Sequence, residues 1–549
     1  MKKYLQIHSD DNILVALTDL SKGEEISYKG EQFPLTDNIR QKHKFAIKPF
    51  ESGDKIIMYG VLVGKAAKAI PKGGSISTEN VKHASGSFDG RTKEFHWQAP
   101  DVSKWKNTTF MGYHRSDGQV GTRNFWLVIP MVFCENRNVN VMKEAMLKEL
   151  GYAQPEVYRN AVKELVEAYK SGDNEYLIRS LETPEKTAVE PQRRIFENID
   201  GIKFLLHEGG CGCSREDSDN LCALLAGYCN NPNVVGITIL SLGCQHAQVS
   251  ILQEEIKKRN PDFDKPFLVF EQQKWHSEYK MLTQAMRKTF LGMMEVNQLK
   301  RRPAPLSKLM VGVKCGGSDG FSGISANPAV GHFADLLVAL GGKIVLAEFP
   351  ELCGVEQELI DRSVSDEVAD RFGKLMREYA KRADAVGADF SMNPSPGNVR
   401  DGLITDAMKS AGAARKGGTS PVVGALGYPE YATQPGLNLL CTPGNDVEAT
   451  TGMAGAGCTV QLFTTGLGTP TGNPVSTVVK IATNSELARR MPDIIDINAG
   501  TIITGNKTVE EVGEEILEYV IHLANGEFDT KATQLGQDDF IPWKKGISL

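Results

Sequence analysis

Lys308-Leu309-Met310-Val311-Gly312-Val313-Lys314-Cys315-Gly316-Gly317-Ser318-Asp319-Gly320 is the stretch that decides the fold. Residues 308–313 read as a buried strand, and the run breaks at once into a loop nearly devoid of bulk. The pattern recurs downstream. Val345-Leu346-Ala347 is followed by Glu348-Phe349-Pro350-Glu351, and strand runs at 343–347, 421–425, 437–441 and 459–463 are interleaved with helical segments. Small-residue loops also stand at 393–398, at Thr442-Pro443-Gly444-Asn445-Asp446 and at 466–472. Strands alternating with helices predict α/β architecture with function on the loops that follow the strands. Such loops offer backbone N–H groups, amides and hydroxyls at short range, which suits a small polar anion. They place Ser318, Asn398 and Asn445 as candidate ligand contacts.

Working outward, an earlier α/β series opens at Phe125-Trp126-Leu127-Val128-Ile129-Pro130 and continues at 202–206, 234–242 and 267–270. The segment 141–183 reads as solvated amphipathic helix. Residues 1–85 differ: short apolar runs alternate with turn signals and carry no helical period, so an all-β module is predicted. The expected division is a β module over 1–90, a linker over 91–109, a first α/β region over 110–304 and a second over 305–549.

The 549 residues are several times the roughly 150 of an ordinary domain, in keeping with that division. Sixty-two Lys and Arg against 68 Asp and Glu give a net charge of −6, too mild and too evenly spread for a nucleic-acid or anionic-membrane surface. The most apolar run, 234–244, is far short of a membrane span. No apolar targeting segment follows Met1-Lys2-Lys3-Tyr4, so a cytoplasmic setting is expected. The ten cysteines are then reduced thiols, buried or ligating.

No dinucleotide fingerprint or phosphate-binding P-loop is present, so neither NAD nor flavin is expected. For metal, two constellations compete. The β module carries His8, His43 and His83 near Asp10-Asp11 and Glu79-Asn80, and imidazole with carboxylate suits Fe(II), Mn(II) or Zn(II). Cys213, Cys244 and Cys315 each follow a predicted strand and could instead meet around iron or an iron–sulfur cluster, at no standard cluster spacing. His207, directly after a strand and beside Glu208-Gly209-Gly210, is a candidate general acid or base, with a capped loop histidine as the plainer reading.

Long motifs across nearly the whole chain tie these features together. They are Ile7-His8-Ser9-Asp10-Asp11-Asn12, Gly112-Tyr113-His114-Arg115-Ser116-Asp117-Gly118, Gly121-Thr122-Arg123-Asn124 and Cys315-Gly316-Gly317-Ser318-Asp319-Gly320, followed by Asn393-Pro394-Ser395-Pro396-Gly397-Asn398, Pro435-Gly436-Leu437-Asn438 and Lys480-Ile481-Ala482-Thr483-Asn484. In these the chain resembles the altronate/galactarate dehydratase family of hydro-lyases. The resemblance implies an N-terminal β-clip (SAF-type) module on an α/β body. It also implies dehydration of a sugar acid: D-altronate to 2-dehydro-3-deoxy-D-gluconate and water, in hexuronate catabolism. Galactarate, or lyase action on a related hydroxy acid, is the alternative. A non-catalytic sugar-acid-binding protein is the reading of another class, and Lys314, Asp319, Glu348 and His207 together speak against it.

The resemblance further implies a divalent ion, Fe(II) first and Mn(II) second, held by His8 and His43. Glu79 stands where the family's third histidine falls, giving a two-histidine, one-carboxylate set; His83 is the alternative third ligand. In the body, the family's shared positions fall on Arg123, Asn124, His207, Cys213, Cys244, Gln248, Lys314, Asp319 and Glu348. Of these, His207, Lys314, Asp319 and Glu348 are taken as catalytic candidates, and Arg123, Asn124 and Gln248 as substrate contacts. The expected partner is a small sugar acid, not nucleic acid or membrane, and homo-oligomer formation is left open.

Overall fold

The computed structural model describes residues 2–155, 157–182, 193–546 and 548. Short alternating runs broken by turns sustain no helix, and the N-terminal module is accordingly all β. It holds a four-stranded antiparallel sheet in the spatial order Tyr4–Leu5, Ile13–Ala16, Lys44–Ala46, Ser75–Ile76. A hairpin (Glu25–Tyr28 with Glu31–Pro34) and a three-stranded sheet (Lys55–Met58, Val61–Ala66, Val81–Lys82) complete it. The alternation of side chains along Ile13–Ala16 serves two cores. Leu14 and Ala16 pack within the module against Phe33 and Phe45. Ile13 and Val15 belong to the main core of the body, with Phe321 and Ile324. The module is thus fused to the body by hydrophobic burial.

The stretch after it leans on the body through polar contacts. Arg91 Nε donates to Asp366 at 2.7 Å, and Trp105 Nε1 donates to Glu518 at 2.7 Å. A three-stranded antiparallel sheet then pairs Thr109–His114 with Val120–Gly121 and with Arg302–Pro305, tying together the two ends of the first α/β region.

That region carries a four-stranded parallel sheet in the order Gly201–Phe204, Phe125–Pro130, Val234–Ser241, Phe267–Glu271. Helices Asn136–Glu149 and Glu278–Val296 pack on one face, Arg215–Asn230 and Val249–Arg259 on the other. Within the segment 141–183, helix Val157–Ser171 buries only Ala168 and is a solvated helix. Residue 183 lies outside the described residues.

The second region is built on a seven-stranded parallel sheet. Its spatial order is Val422–Leu426, Gly436–Leu440, Lys343–Leu346, Met310–Cys315, Val460–Thr465, Thr477–Ala482, Ile497–Asn498. Met310–Cys315 is the central strand, buried at every position. The chain adds Lys343–Leu346 on one side, then the edge strand Val422–Leu426, fills the gap with Gly436–Leu440, and returns to build outward on the other side. Loops leaving Met310–Cys315 and Val460–Thr465 therefore part in opposite directions, and the carboxyl ends of those strands form the switch point at which parallel α/β sheets characteristically bind ligands in a crevice. One loop departs from expectation: 393–398 follows a single 3-10 turn, Phe390–Met392, not a strand. The fold is thus an all-β module on an α/β body. Among the described residues no helix is long and apolar enough to cross a membrane.

Candidate active site

The crevice in the second sheet gathers charge that the strand periodicity places there. Lys314, Phe463 and Lys480 are register partners on three adjacent strands, so their side chains share one face. The Lys314 ammonium lies 4.7 Å from the Phe463 ring centroid and that of Lys480 lies 3.4 Å from it. Lys314 is fully buried between two carboxylates, 3.0 Å from Glu348 Oε1 and 2.6 Å from Asp446 Oδ1. Asp446 opens the helix Asp446–Gly455, whose preceding residue Asn445 caps it by accepting from the Val447 and Glu448 amides. Gly316 lets Asp446 reach in: a Cβ at Gly316 would stand 2.3 Å from Asp446 Oδ1.

Cys315, next along the strand, points to the opposite face. Its thiol donates to Glu351 Oε2 at 3.1 Å and accepts from the buried Lys416 ammonium at 2.7 Å. Glu351 is also held by Lys409 at 2.9 Å. Glu348 sits in the left-handed region at φ 70°, a strained conformation for a non-glycine residue, with its amide donating to Thr442 Oγ1 at 2.9 Å. Its second oxygen, Oε2, is buried without a hydrogen-bond partner.

The electrostatics follow from burial and from which partner is nearest. Burial works against the Lys314 charge, but Glu348 and Asp446 outweigh it and keep the ammonium protonated. Burial, reinforced by the charge of Glu351, pushes Glu348 up to about 7. Burial also opposes the charge of Glu351, yet Lys409 and Lys416 overcome it and hold that carboxyl down at about 2. Burial, then the Lys314 charge, drives Lys480 well below the usual lysine range, and its Nζ has no hydrogen-bond partner. The crevice therefore offers a fixed cation, a carboxyl that exchanges its proton near neutrality, and a fixed anion.

The donors also fit a metal ion. Among the described residues, Cys315, Glu348 and Glu351 are the group of three His, Cys, Asp or Glu side chains whose ligand atoms lie within 4.8 Å of one another. The orphaned Glu348 Oε2 needs a partner, and a thiolate with two carboxylates suits a divalent transition metal such as Fe(II).

Of the predicted site residues, the structure brings Lys314, Cys315 and Glu348 together and disperses the others. Asp319, on the same loop, is fully engaged: Oδ1 accepts from the Phe321 amide and Ser322 Oγ, while Oδ2 faces Lys42 at 2.9 Å and Asn484 Nδ2 at 3.3 Å. Asn398 is occupied in a helix-capping box with Ser395 and donates to the Ser318 carbonyl at 2.7 Å. Ser318 Oγ stays buried and unpartnered.

Arg123 and Asn124 stand at the opposite, amino end of the first sheet, where parallel α/β folds do not bind ligands. Arg123 is engaged by Phe528 O and Asp529, and Asn124 by Asp200, Asn198 and Arg115. Gln248 precedes helix Val249–Arg259 and bonds the Gln245 carbonyl.

His207 lines a cavity of about 890 Å³ at the carboxyl end of the first sheet, together with Cys213, Tyr428, Glu448 and residues 540–544. Its Nε2–H donates to Pro130 O at 2.7 Å and its Nδ1 accepts from the Gly209 amide at 3.1 Å. Burial holds the ring neutral, at about 4. With both nitrogens on backbone, His207 clips a loop and has no free nitrogen for proton transfer.

Neither predicted metal set forms such a group. His43 Nε2–H donates to Arg400 O at 3.0 Å, His8 Nδ1 lies 3.8 Å from Asp10, and Glu79 is exposed. His83 sits 3.5 Å from the Ala407 amide. Cys213 and Cys244 flank the first sheet, whereas Cys315 ends the central strand of the second; all ten cysteines are free thiols. The residues of this cluster that sequence reasoning missed are Glu351, Lys409, Lys416, Asp446 and Lys480. A lysine inside the apolar strand Thr477–Ala482 was a signal for Lys480; Lys409 and Lys416 carried none, since they enter by tertiary packing from a helix and a turn.

Comparison with known proteins covers nearly every part of this architecture. The family profile described as the C-terminal part of D-galactarate/altronate dehydratase matches residues 306–548. That of the second domain of D-galactarate dehydratase/altronate hydrolase matches 112–297, and that of the altronate/galactarate dehydratase SAF domain matches 2–84. The chain is 33% identical to an altronate dehydratase of Bacillus subtilis, over 96% of each chain. It is 32% identical to an altronate dehydratase of Escherichia coli over the full length of both. It is 31% identical to the L-threo-forming galactarate dehydratase of Escherichia coli, over 97% of this chain and 95% of that relative.

Proposed function

The chain belongs to the D-galactarate/altronate dehydratase family and is a hydro-lyase, and from that premise we propose that it dehydrates D-altronate to 2-dehydro-3-deoxy-D-gluconate, with the crevice of the second sheet as its catalytic centre. Galactarate is the second substrate to test, because a galactarate dehydratase is nearly as similar. The observation that carries the placement is the buried cluster of Lys314, Glu348 and Asp446 at the point where the strand order reverses.

Dehydration of a 2,3-dihydroxy acid removes the proton at C2 and the hydroxyl at C3. The C2 proton is weakly acidic because its loss builds a second negative charge next to a carboxylate. The Lys314 ammonium, held charged and shielded from water, is placed to balance that charge; a preorganised cation in a dry site is worth far more than one in water. Glu348, titrating near 7, suits proton removal at C2, and its conjugate acid suits return of a proton to the departing C3 hydroxyl. Water leaves with that proton, and the enol then ketonises, so no redox cofactor is required. Glu351 stays ionised under Lys409 and Lys416, and its charge helps keep Glu348 near neutrality. A divalent ion, Fe(II) or Mn(II), would be held by Cys315 and Glu351, leaving Glu348 as the base, and would supply Lewis-acid polarisation of the substrate's oxygens.

The test is a substrate screen with altronate, galactarate and mannonate under reducing conditions with Fe(II) or Mn(II) added. The 2-keto-3-deoxy acid is measured as its semicarbazone or by thiobarbiturate. Altronate should be turned over fastest. Turnover of galactarate alone would remove the first choice, and turnover of none would remove the proposal.

A further inference from the structure

The β module does more than dock on the body: it reaches the glycine loop that leaves the central strand. Lys42 stands at the turn before strand Lys44–Ala46, with φ 74°, a left-handed conformation that a lysine adopts only when its surroundings impose it. Its carbonyl oxygen lies where the body admits nothing larger than glycine. An added Cβ at Gly320 or at Gly402 would each stand 2.5 Å from that oxygen. The two following residues fasten the same edge. His43 donates to Arg400 O at 3.0 Å, and the buried Lys44 donates to Gly402 O at 2.6 Å.

What Lys42 touches gives the contact meaning. Its ammonium lies 2.9 Å from the Asp319 carboxylate, which is fully shielded from solvent, and 3.5 Å from Asp401. Asp319 is the junction of the site's loops. It accepts from the Phe321 amide and Ser322 Oγ on its own loop and from Asn484 Nδ2 at the cap of helix Ser485–Arg490. It also presses on the neighbouring loop at Gly466, where a Cβ would stand 2.4 Å from the carboxyl carbon. Gly466 in turn donates its amide to Gly317 O at 3.0 Å, and Gly316 is the residue against which Asp446 closes. An unbroken series of contacts thus runs from the β module through Asp319 to the loop that leaves the strand carrying Lys314 and Cys315.

We propose that Lys42 is a positioning residue of the active site: its ammonium holds Asp319, and Asp319 fixes the 316–320 loop, so that the catalytic centre is complete only with the β module seated. Without Lys42, the Oδ2 atom of a buried carboxylate keeps one long bond from Asn484, and a buried charge without its partner draws its loop toward water. The module itself stays attached, because the His43 and Lys44 bonds and the shared core of Ile13, Val15, Phe321 and Ile324 do not involve the Lys42 side chain.

The catalytic arm of the test rests on the dehydratase reading; a second arm does not. Full-length Lys42→Met, Lys42→Arg, Asp319→Asn and the double variant are compared by amide hydrogen exchange and by kinetics. In Lys42→Met, exchange across 316–322 should rise about tenfold or more while residues 42–46 and 55–66 stay protected. kcat should fall about tenfold or more with KM within about twofold, since small displacements of a catalytic loop act on the chemical step. Lys42→Arg should recover most of the rate. Lys42→Met should add little in the Asp319→Asn background, because the two act as one unit. Unchanged exchange in 316–322, or effects of Lys42 and Asp319 that multiply independently, overturns the inference. Loss of protection across the entire module in Lys42→Met also overturns it, since Lys42 would then serve attachment alone. If the wild type turns over no sugar acid, the dehydratase reading fails and the exchange arm still decides the role of Lys42.

Discussion

Replacing Glu348 with glutamine separates proton transfer from architecture at the candidate catalytic centre. The side chains are nearly isosteric, and a glutamine Oε1 can still accept from Lys314, now 3.0 Å away. Lys314 keeps Asp446 at 2.6 Å, and Glu351 keeps Lys409 at 2.9 Å. The substitution weakens one charge-assisted hydrogen bond and removes a carboxylate repelled by Glu351, two effects of opposite sign, so folding stability should change by no more than about 2 kcal/mol. The rate should change far more. A positioned general base contributes about 10²- to 10⁴-fold, roughly 3 to 5 kcal/mol of barrier. With its carboxyl raised to about 7, Glu348 carries its proton below that pH and loses it above. As the base that takes the C2 proton it acts only when ionised. Wild-type kcat/KM should therefore climb about tenfold per pH unit on the acid side and level off above neutrality. The assay is formation of 2-keto-3-deoxy acid from about pH 5 to pH 9, with thermal unfolding as the control for folding. Glu348→Gln should be slow at every pH and lack the ascending limb. A variant that keeps its rate within about tenfold, or keeps the limb, refutes Glu348 as the base.

The same group predicts a stability signature. Burial and Glu351 raise its folded-state affinity for a proton above the unfolded value of 4.5, so the stability it lends is present below that pH and is lost as pH rises through about 7. The unfolding temperature of Glu348→Gln relative to wild type should accordingly shift in favour of the variant between pH 5 and pH 8. Lys314→Met leaves Glu348 and Asp446 facing each other without the cation between them; breaking a buried pair in this way costs about 3 to 5 kcal/mol, read as a lower urea midpoint together with lost turnover. His207→Asn should lower stability by about 1 to 3 kcal/mol, since it disturbs the Pro130 and Gly209 bonds, while the pH profile of kcat/KM keeps its shape. Metal content of anaerobically purified protein, by elemental analysis, should fall in Cys315→Ser and Glu351→Gln and hold in His8→Ala; the reverse pattern would return the metal to the β module.

Strand periodicity made much of the architecture legible without coordinates. The run at 308–313, the Phe125 to Pro130 strand and the glycine loops after strands pointed to an α/β body, and the turn-broken first 85 residues to the β module, because hydrophobic alternation is a local property of the chain. Lys314 and Glu348 came from the family resemblance, and both fall near the carboxyl end of a buried strand, Lys314 within Met310–Cys315 and Glu348 just past Lys343–Leu346. The glycine surplus was also readable, but its purpose at Gly316 and Gly466 was not, since the carboxylates that approach them, Asp446 and Asp319, come from elsewhere in the chain. Arg123 and Asn124 were grouped with Lys314 through the family resemblance, although they precede their strand and Lys314 lies near the carboxyl end of its own. His207 looked catalytic in isolation and proved to be a backbone clip once Pro130 and Gly209 were beside it. The sequence by itself determined the elements, their order and the family, because these follow from short-range pattern and motif. Only the tertiary structure decided the partners: Lys409 and Lys416 on Glu351, Glu348 and Asp446 on Lys314, and Lys42 reaching Asp319 from a separate module. Electrostatic coupling acts over a few ångströms of space, and residues as distant in sequence as Lys409 and Glu351, or Lys42 and Asp319, come that close only in the fold.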